Sequence, residues 1–281
     1  MRTQSIEAPI KDIELKQILK EYLNGEMPWD DKSESHIIEA MMEHIGSTDP
    51  ELRDKLIYSS FFRLINILNH EKLIELLELS LSNSFLYKGI GENGTDTVFT
   101  RTFTSLLIAL ILYRDNQDDF LPQRTILKVK DALINYLNEE NDLRGYVPDK
   151  GWAHSVAHVA DAIDELVVNK KCPSELYQEI LEALCRKMFS SASVYIHDED
   201  ERLITPLQAM IEHGLPVEAV KSIIDRLPLK LKEQKEQMNF ENYMFLLANT
   251  KSFLKSFYIK SIGKTKMLPL QESIVTVLNK I

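Results

Sequence analysis

Residues 102–113 read Thr-Phe-Thr-Ser-Leu-Leu-Ile-Ala-Leu-Ile-Leu-Tyr, apolar nearly all round once wound as a helix. A helix apolar on every side is covered on every side, so this stretch predicts a central helix inside a layered helical protein. Outward from it, apolar residues recur at three- and four-residue steps, the period of an amphipathic α-helix. Towards the N-terminus, Ile10 to Leu23 carries that pattern until Gly25, Pro28 and the Asp30-Asp31 pair stop it. Ser33 to Ile45 reads as a second helix closed by Gly46. Asp49-Pro50-Glu51 restarts the chain with an amide acceptor, a proline suited to a first turn and an acid at the positive helix end. Helices are predicted over 52–68 and 73–86, followed by a loop at Lys88–Gly94 that holds three of the nine glycines. Towards the C-terminus the pattern predicts 121–137, 152–168, 174–189, 202–212, 217–227, 231–247, 253–262 and 270–278, with a long polar connection over 138–151.

About a dozen helices joined mostly by short turns make antiparallel neighbours, and so many cannot share one four-helix core. The expected fold is all-α: one domain over residues 1–281, an α-α superhelix of stacked helical hairpins. The pair spacing of about 40 residues is near the HEAT/armadillo period, although no clean sequence repeat accompanies it. The helices at 102–113 and 152–168 belong on its inner layer. Val98–Thr100 and Val194–Ile196 have strand character but are too short to build a sheet.

The 281 residues include 33 Lys+Arg against 43 Asp+Glu, a net charge of −10, which argues against a nucleic-acid partner. Lys251, Lys255, Lys260, Lys264 and Lys266 are a local exception, read as a solvated basic face. The longest apolar run, Leu106–Leu112, is far short of the roughly twenty residues a membrane helix needs, so no membrane partner is expected. Cys172 and Cys185 form no disulfide framework or zinc-knuckle spacing, and the first residues, MRTQSIEAPIKDIELKQ, carry no signal pattern. Together these point to the cytoplasm.

Chemistry concentrates in residues 142–165, DLRGYVPDKGWAHSVAHVADAIDE. On a helix running from Trp152, the residues His154, His158, Asp161 and Glu165 fall on one stripe, opposite Trp152, Val156, Val159, Ile163 and Leu166. The histidines are therefore not needed for the apolar face. Two histidines four apart can hold one divalent transition-metal ion, with Asp161 as a third ligand. The same side chains can instead act as an acid–base set, or lie on a solvated face. Ser155 stands where a zinc protease would carry glutamate, which excludes that motif. In the preceding loop Asp142 and Arg144 can pair across a turn, while Tyr146 and Trp152 add aromatic surface with polar edges. Arg144 either anchors that loop or binds an anionic or ring-shaped ligand. Arg101 opens the apolar helix and must be paired, either capping a neighbouring helix or projecting into a cleft. In His197-Asp-Glu-Asp-Glu-Arg202, Asp198 and Glu201 resemble a capping box, and the stretch reads as a helix cap with solvated charge in preference to a metal-binding cluster.

The sequence resembles an uncharacterised bacterial family, a domain of unknown function found in bacilli, listeriae and relatives. The resemblance runs from about residue 100 to 260. It rests on Arg101-Thr-Phe-Thr-Ser-Leu, on Glu140-Asn-Asp-Leu-Arg-Gly-Tyr146 with Lys150-Gly-Trp-Ala-His-Ser-Val-Ala-His-Val-Ala-Asp161, on Glu199–Leu203 and on Asn249–Tyr258. It implies an all-helical fold and a shared polar set: Arg101, Asp142, Arg144, Gly145, Tyr146, Gly151, Trp152, His154, His158, Asp161 and Arg202. The function expected is binding of a small molecule or protein partner through a polar concave cleft. The rival is a metal-assisted or acid–base enzyme built on His154, His158 and Asp161.

Overall fold

The computed structural model describes residues 10–29 and 33–281. Residues 1–9 of the N-terminal stretch and the Asp30-Asp31 stop lie outside the described residues. The fold is all-helical: α1 (Asp12–Asn24), α2 (Glu34–Glu43), α3 (Ser59–Leu64), α4 (His70–Ser80), α5 (Thr97–Asp118), α6 (Gln123–Glu139), α7 (Ser155–Val167), α8 (Tyr177–Met188), α9 (Glu199–Glu212), α10 (Val217–Gln237), α11 (Phe240–Ser261) and α12 (Leu268–Leu278). Glu51–Tyr58, wound as a wider π-helix, leads into α3. One antiparallel hairpin, β1 (Tyr146–Val147) and β2 (Gly151–Trp152), pairs Tyr146 with Trp152 and Val147 with Gly151.

Many helices two apart in sequence lie side by side. α5 packs on α7, α7 on α9 and α9 on α11, while α6 packs on α8 and α10 on α12. Consecutive helices thus alternate between two layers, as stacked hairpins do. Most buried apolar side chains from Ile10 to Val277 form one contiguous cluster, beside a small second one of Val98, Phe99 and Ala153. α5 is long and apolar enough to cross a membrane, yet 83% of its most apolar window is buried inside the protein. α3, α4 and α7 cover it.

Local sequence explains most boundaries. Asn69 and Asn239 each accept the amide three residues on, at 2.9 Å, which starts α4 and α11. Asp49 accepts the amides of Glu51 and Leu52 at 2.9 and 3.3 Å. Gly25 ends α1 with a left-handed φ of 76°. Three sequence expectations need correction. Residues 217–262 form two long helices in place of three, because α10 continues through Pro228. Val220, Ile224, Leu227 and Leu231 keep one buried stripe across the proline, and that packing outweighs the missing N–H. Val98–Thr100 lies inside α5, so its β-branched character is overridden by burial. The helix expected from Trp152 starts only at Ser155: Trp152 is on β2, and His154 takes left-handed angles, φ 48° and ψ 43°.

Candidate ligand-binding site

The site grows from a buried ionic scaffold. Arg101 leaves α5 fully buried and meets Glu140, past the end of α6, through two bonds of 2.8 and 2.9 Å. Its remaining amino group donates to the carbonyls of Lys88 and Gly89 and to Thr97 Oγ1. Arg101 therefore clamps the glycine loop to α6, and the cleft does not receive it. Glu140 passes the connection on by accepting the Asp142 amide at 2.9 Å. Asp142, also fully buried, takes the Gly94 amide at 3.0 Å and grips Arg144 through its Nε at 2.8 Å and Nη2 at 2.6 Å. The pairing expected across this turn is thus present. Arg144 also donates to the Thr95 carbonyl at 2.6 Å, and its side chain remains 30% exposed.

A second arginine holds the hairpin. Arg53, on the π-wound turn, is fully buried between the rings of Phe99 and Phe103, at 4.3 and 4.7 Å from their centroids. It donates to the carbonyls of Ser47 (2.5 Å) and Lys150 (2.7 Å), and reaches that of Trp152 at 3.4 Å. Asp54 approaches its Nε at 2.8 Å, off the line of a good hydrogen bond. At Gly151, with φ 78°, a Cβ would lie 3.0 Å from Arg53 Nη2 and 2.8 Å from Pro50. Only glycine allows that approach.

Above this scaffold three imidazoles gather. His154 precedes α7, where the amides of Ala153 and His154 donate to the carbonyls of Gly145 and Arg144 at 2.8 and 3.0 Å. Its ring lies 4.4 Å from Trp152, 5.6 Å from His158 and 6.1 Å from His197. His158 sits beneath, edge-on to Phe103 at 5.2 Å. Desolvation, then the positive charge of Arg202, pushes the His154 pKa down to about 4. Burial, then His154, drives that of His158 well below the usual value. Both rings are neutral at pH 7, and each buries a nitrogen without a hydrogen-bond partner: Nε2 of His154 and Nδ1 of His158. Buried polar atoms are nearly always paired, so two such orphans within one cluster call for an explanation.

Glu199 opens α9 nearly buried. Its Oε2 accepts the His197 amide at 2.9 Å, while Oε1 lies 3.7 Å from His154 Nε2 and 3.8 Å from His197 Nδ1. The expected Asp198–Glu201 capping box is absent. Asp198 has φ 62° and makes no side-chain cap, because Glu199 turns back to bind the chain instead. Gly145 runs alongside: a Cβ there would overlap His197 Nδ1 and lie 2.6 Å from Glu199 Oε1. Arg144, Gly145, Tyr146, His197 and Glu199, with Asn93, Asn141, Ser193 and Ile196, line a cleft of about 280 Å³. Asn249 shapes its far wall by bonding the Ser190 and Ser193 carbonyls and the Tyr195 amide.

The predicted residues therefore divide. Arg144 and Tyr146 line the cleft, while Trp152 and His154 pack against its His197 and Glu199, and His158 lies next to His154. Arg101 and Asp142 support it from within. Asp161 goes elsewhere: it pairs with Arg202 and borders a separate cavity with Tyr58, Tyr113, Asp164 and Glu165. Among the described residues, the His and acid side chains whose ligand atoms converge are His154, His197 and Glu199, in place of His154, His158 and Asp161. Helical spacing misplaced Asp161 because His154 lies outside the helix. Arg53 and Glu140 were missed because a lone charged residue carries no periodic signal. His197 and Glu199 lie in a stretch where metal binding was the lesser alternative to a helix cap.

No curated protein and no solved structure matches this chain. A family match covers residues 86–259, from the glycine loop through most of α11, and so includes the whole cleft except its Arg53 support. By that match the chain belongs to the family described as protein of unknown function DUF2785.

Proposed function

We propose that this protein is a single-domain, HEAT/armadillo-like bacterial superhelix that binds a small anionic molecule in the cleft between the β-hairpin and residues 190–199. The contiguous cluster from Ile10 to Val277 supports one domain over residues 1–281. Two free cysteines support a reducing, cytoplasmic setting; burial raises their pKa values to about 11 for Cys172 and about 12 for Cys185.

The observation that carries the binding reading is Arg144. Its guanidinium is fixed by Asp142 and Thr95 at the wall of a 280 Å³ cleft while part of it stays open to solvent. A donor held in advance loses little entropy on binding. Backbone strain agrees. Among the described residues four non-glycines have positive φ, and two of them, His154 and Asp198, adjoin the cleft residues His197 and Glu199.

The test is a thermal-shift screen with inorganic phosphate, dicarboxylates and nucleoside monophosphates, on wild type and Arg144→Ala. At least one anion raises the wild-type melting temperature in a saturable way, and Arg144→Ala loses that response. A response equal in both proteins, or none across the panel, sinks the reading. The acid–base alternative built on His154, His158 and Asp161 loses support from the Asp161–Arg202 pair.

A further inference from the structure

We propose that His154 Nε2, His197 Nδ1 and Glu199 Oε1 bind one divalent transition-metal ion of the zinc class at the floor of this cleft. The proposal rests on reading the cleft as a ligand site and names what its floor holds. The three atoms come from separate places: the turn before α7, the segment before α9, and the first residue of α9. They lie within 4.8 Å of one another, with the carboxylate oxygen 3.7 and 3.8 Å from the two nitrogens. Ligands bound to zinc at about 2.0–2.1 Å sit roughly 3.3 Å apart, so small side-chain rotations close the set.

His154 Nε2 is buried without a hydrogen-bond partner, an orphan that a bound metal ion would satisfy. Glu199 is fixed through Oε2, which leaves Oε1 turned to both rings. Gly145 supplies space, since any Cβ would press on two of the three donors. Two imidazoles disfavour magnesium and calcium, and a His₂Glu set leaves coordination positions open. His197 and Glu199 both line the cleft, so those positions are within reach of an incoming anion.

The experiment is a Co²⁺ titration of the tag-free full chain, followed by visible absorption, with Zn²⁺ as competitor. Wild type binds one equivalent of Co²⁺, develops d–d bands and loses them to Zn²⁺. Glu199→Gln and His197→Ala, shown to be folded by circular dichroism, weaken Co²⁺ binding roughly 100-fold or more. Gly145→Ala weakens it too. Absence of saturable binding by wild type at micromolar Co²⁺ overturns the proposal. So does unchanged affinity in Glu199→Gln and His197→Ala. Should those variants not fold, X-ray absorption on the wild-type complex decides: fewer than two imidazoles in the shell overturns it. An anion response that depends on Arg144 in a protein without Co²⁺ binding leaves the cleft reading standing and removes only the metal.

Discussion

The side chain of Arg101 is fully buried and that of Glu140 is 1% exposed, so each neutralises a charge water cannot reach. Removing one member strands the other. Arg101→Met is expected to cost about 3–5 kcal/mol in urea unfolding at pH 7, while changing both residues to apolar ones recovers much of that loss. Two titrating groups make opposite demands on pH. Desolvation, with Asp161 nearby, raises the Asp164 pKa to about 6, so between about pH 4 and 6 the folded protein keeps a proton the unfolded chain has released. Its contribution to stability falls as pH rises through that window. His154 works the other way. Below the ordinary value of 6.5 the unfolded ring takes a proton that the folded ring refuses down to about pH 4, so stability falls as pH drops. Asp164→Asn separates the two. It should raise stability by roughly 1–3 kcal/mol at pH 7.5 and by almost nothing at pH 4, read from urea midpoints at the two pH values.

Between elements, glycine marks the places where chains touch most closely. Gly46 follows α2 at a point where a Cβ would lie 2.7 Å from Thr100 Cα and N, in the first turns of α5. Its φ lies outside the left-handed range, so alanine there meets a steric obstacle only. Gly46→Ala is expected to displace α5 and cost about 1–3 kcal/mol, seen as a lower melting temperature. Gly25 is the contrast: its φ is 76° with no atom within 4 Å, so Gly25→Ala strains the turn without moving a helix. The middle of the stack is α7, flanked by α5 and α9. Ala157, Ala160 and Ala162 are completely buried on it, which lets its neighbours approach closely. That closeness brings the start of α9, with His197 and Glu199, against the turn that presents His154.

Across the whole molecule, the apolar cluster from Ile10 to Val277 predicts a single unfolding transition. Near- and far-ultraviolet circular dichroism should lose signal at the same urea concentration; two separated midpoints would mean that the N-terminal helices fold apart from the rest. The all-helical architecture, the central helix at 102–113, the Lys88–Gly94 loop and the Asp142–Arg144 pair were legible in the sequence. Each depends on periodicity, glycine content or neighbours within a few residues, and such short-range features act before the chain folds. Long-range convergence was not legible. Glu140 lies 39 residues from Arg101, and Arg53 is 97 residues from the Lys150 carbonyl it holds. The hairpin has strands of two residues, too short for any period. Helical spacing put Asp161 beside His154 because it takes every residue to be wound alike, and the left-handed turn at His154 breaks that assumption. Sequence alone determined most of the helical segments and the apolar faces they bury. Only tertiary packing decided which imidazoles and carboxylates share a hollow, because that depends on how α5, α7 and α9 stack and on where the buried arginines tie the loops.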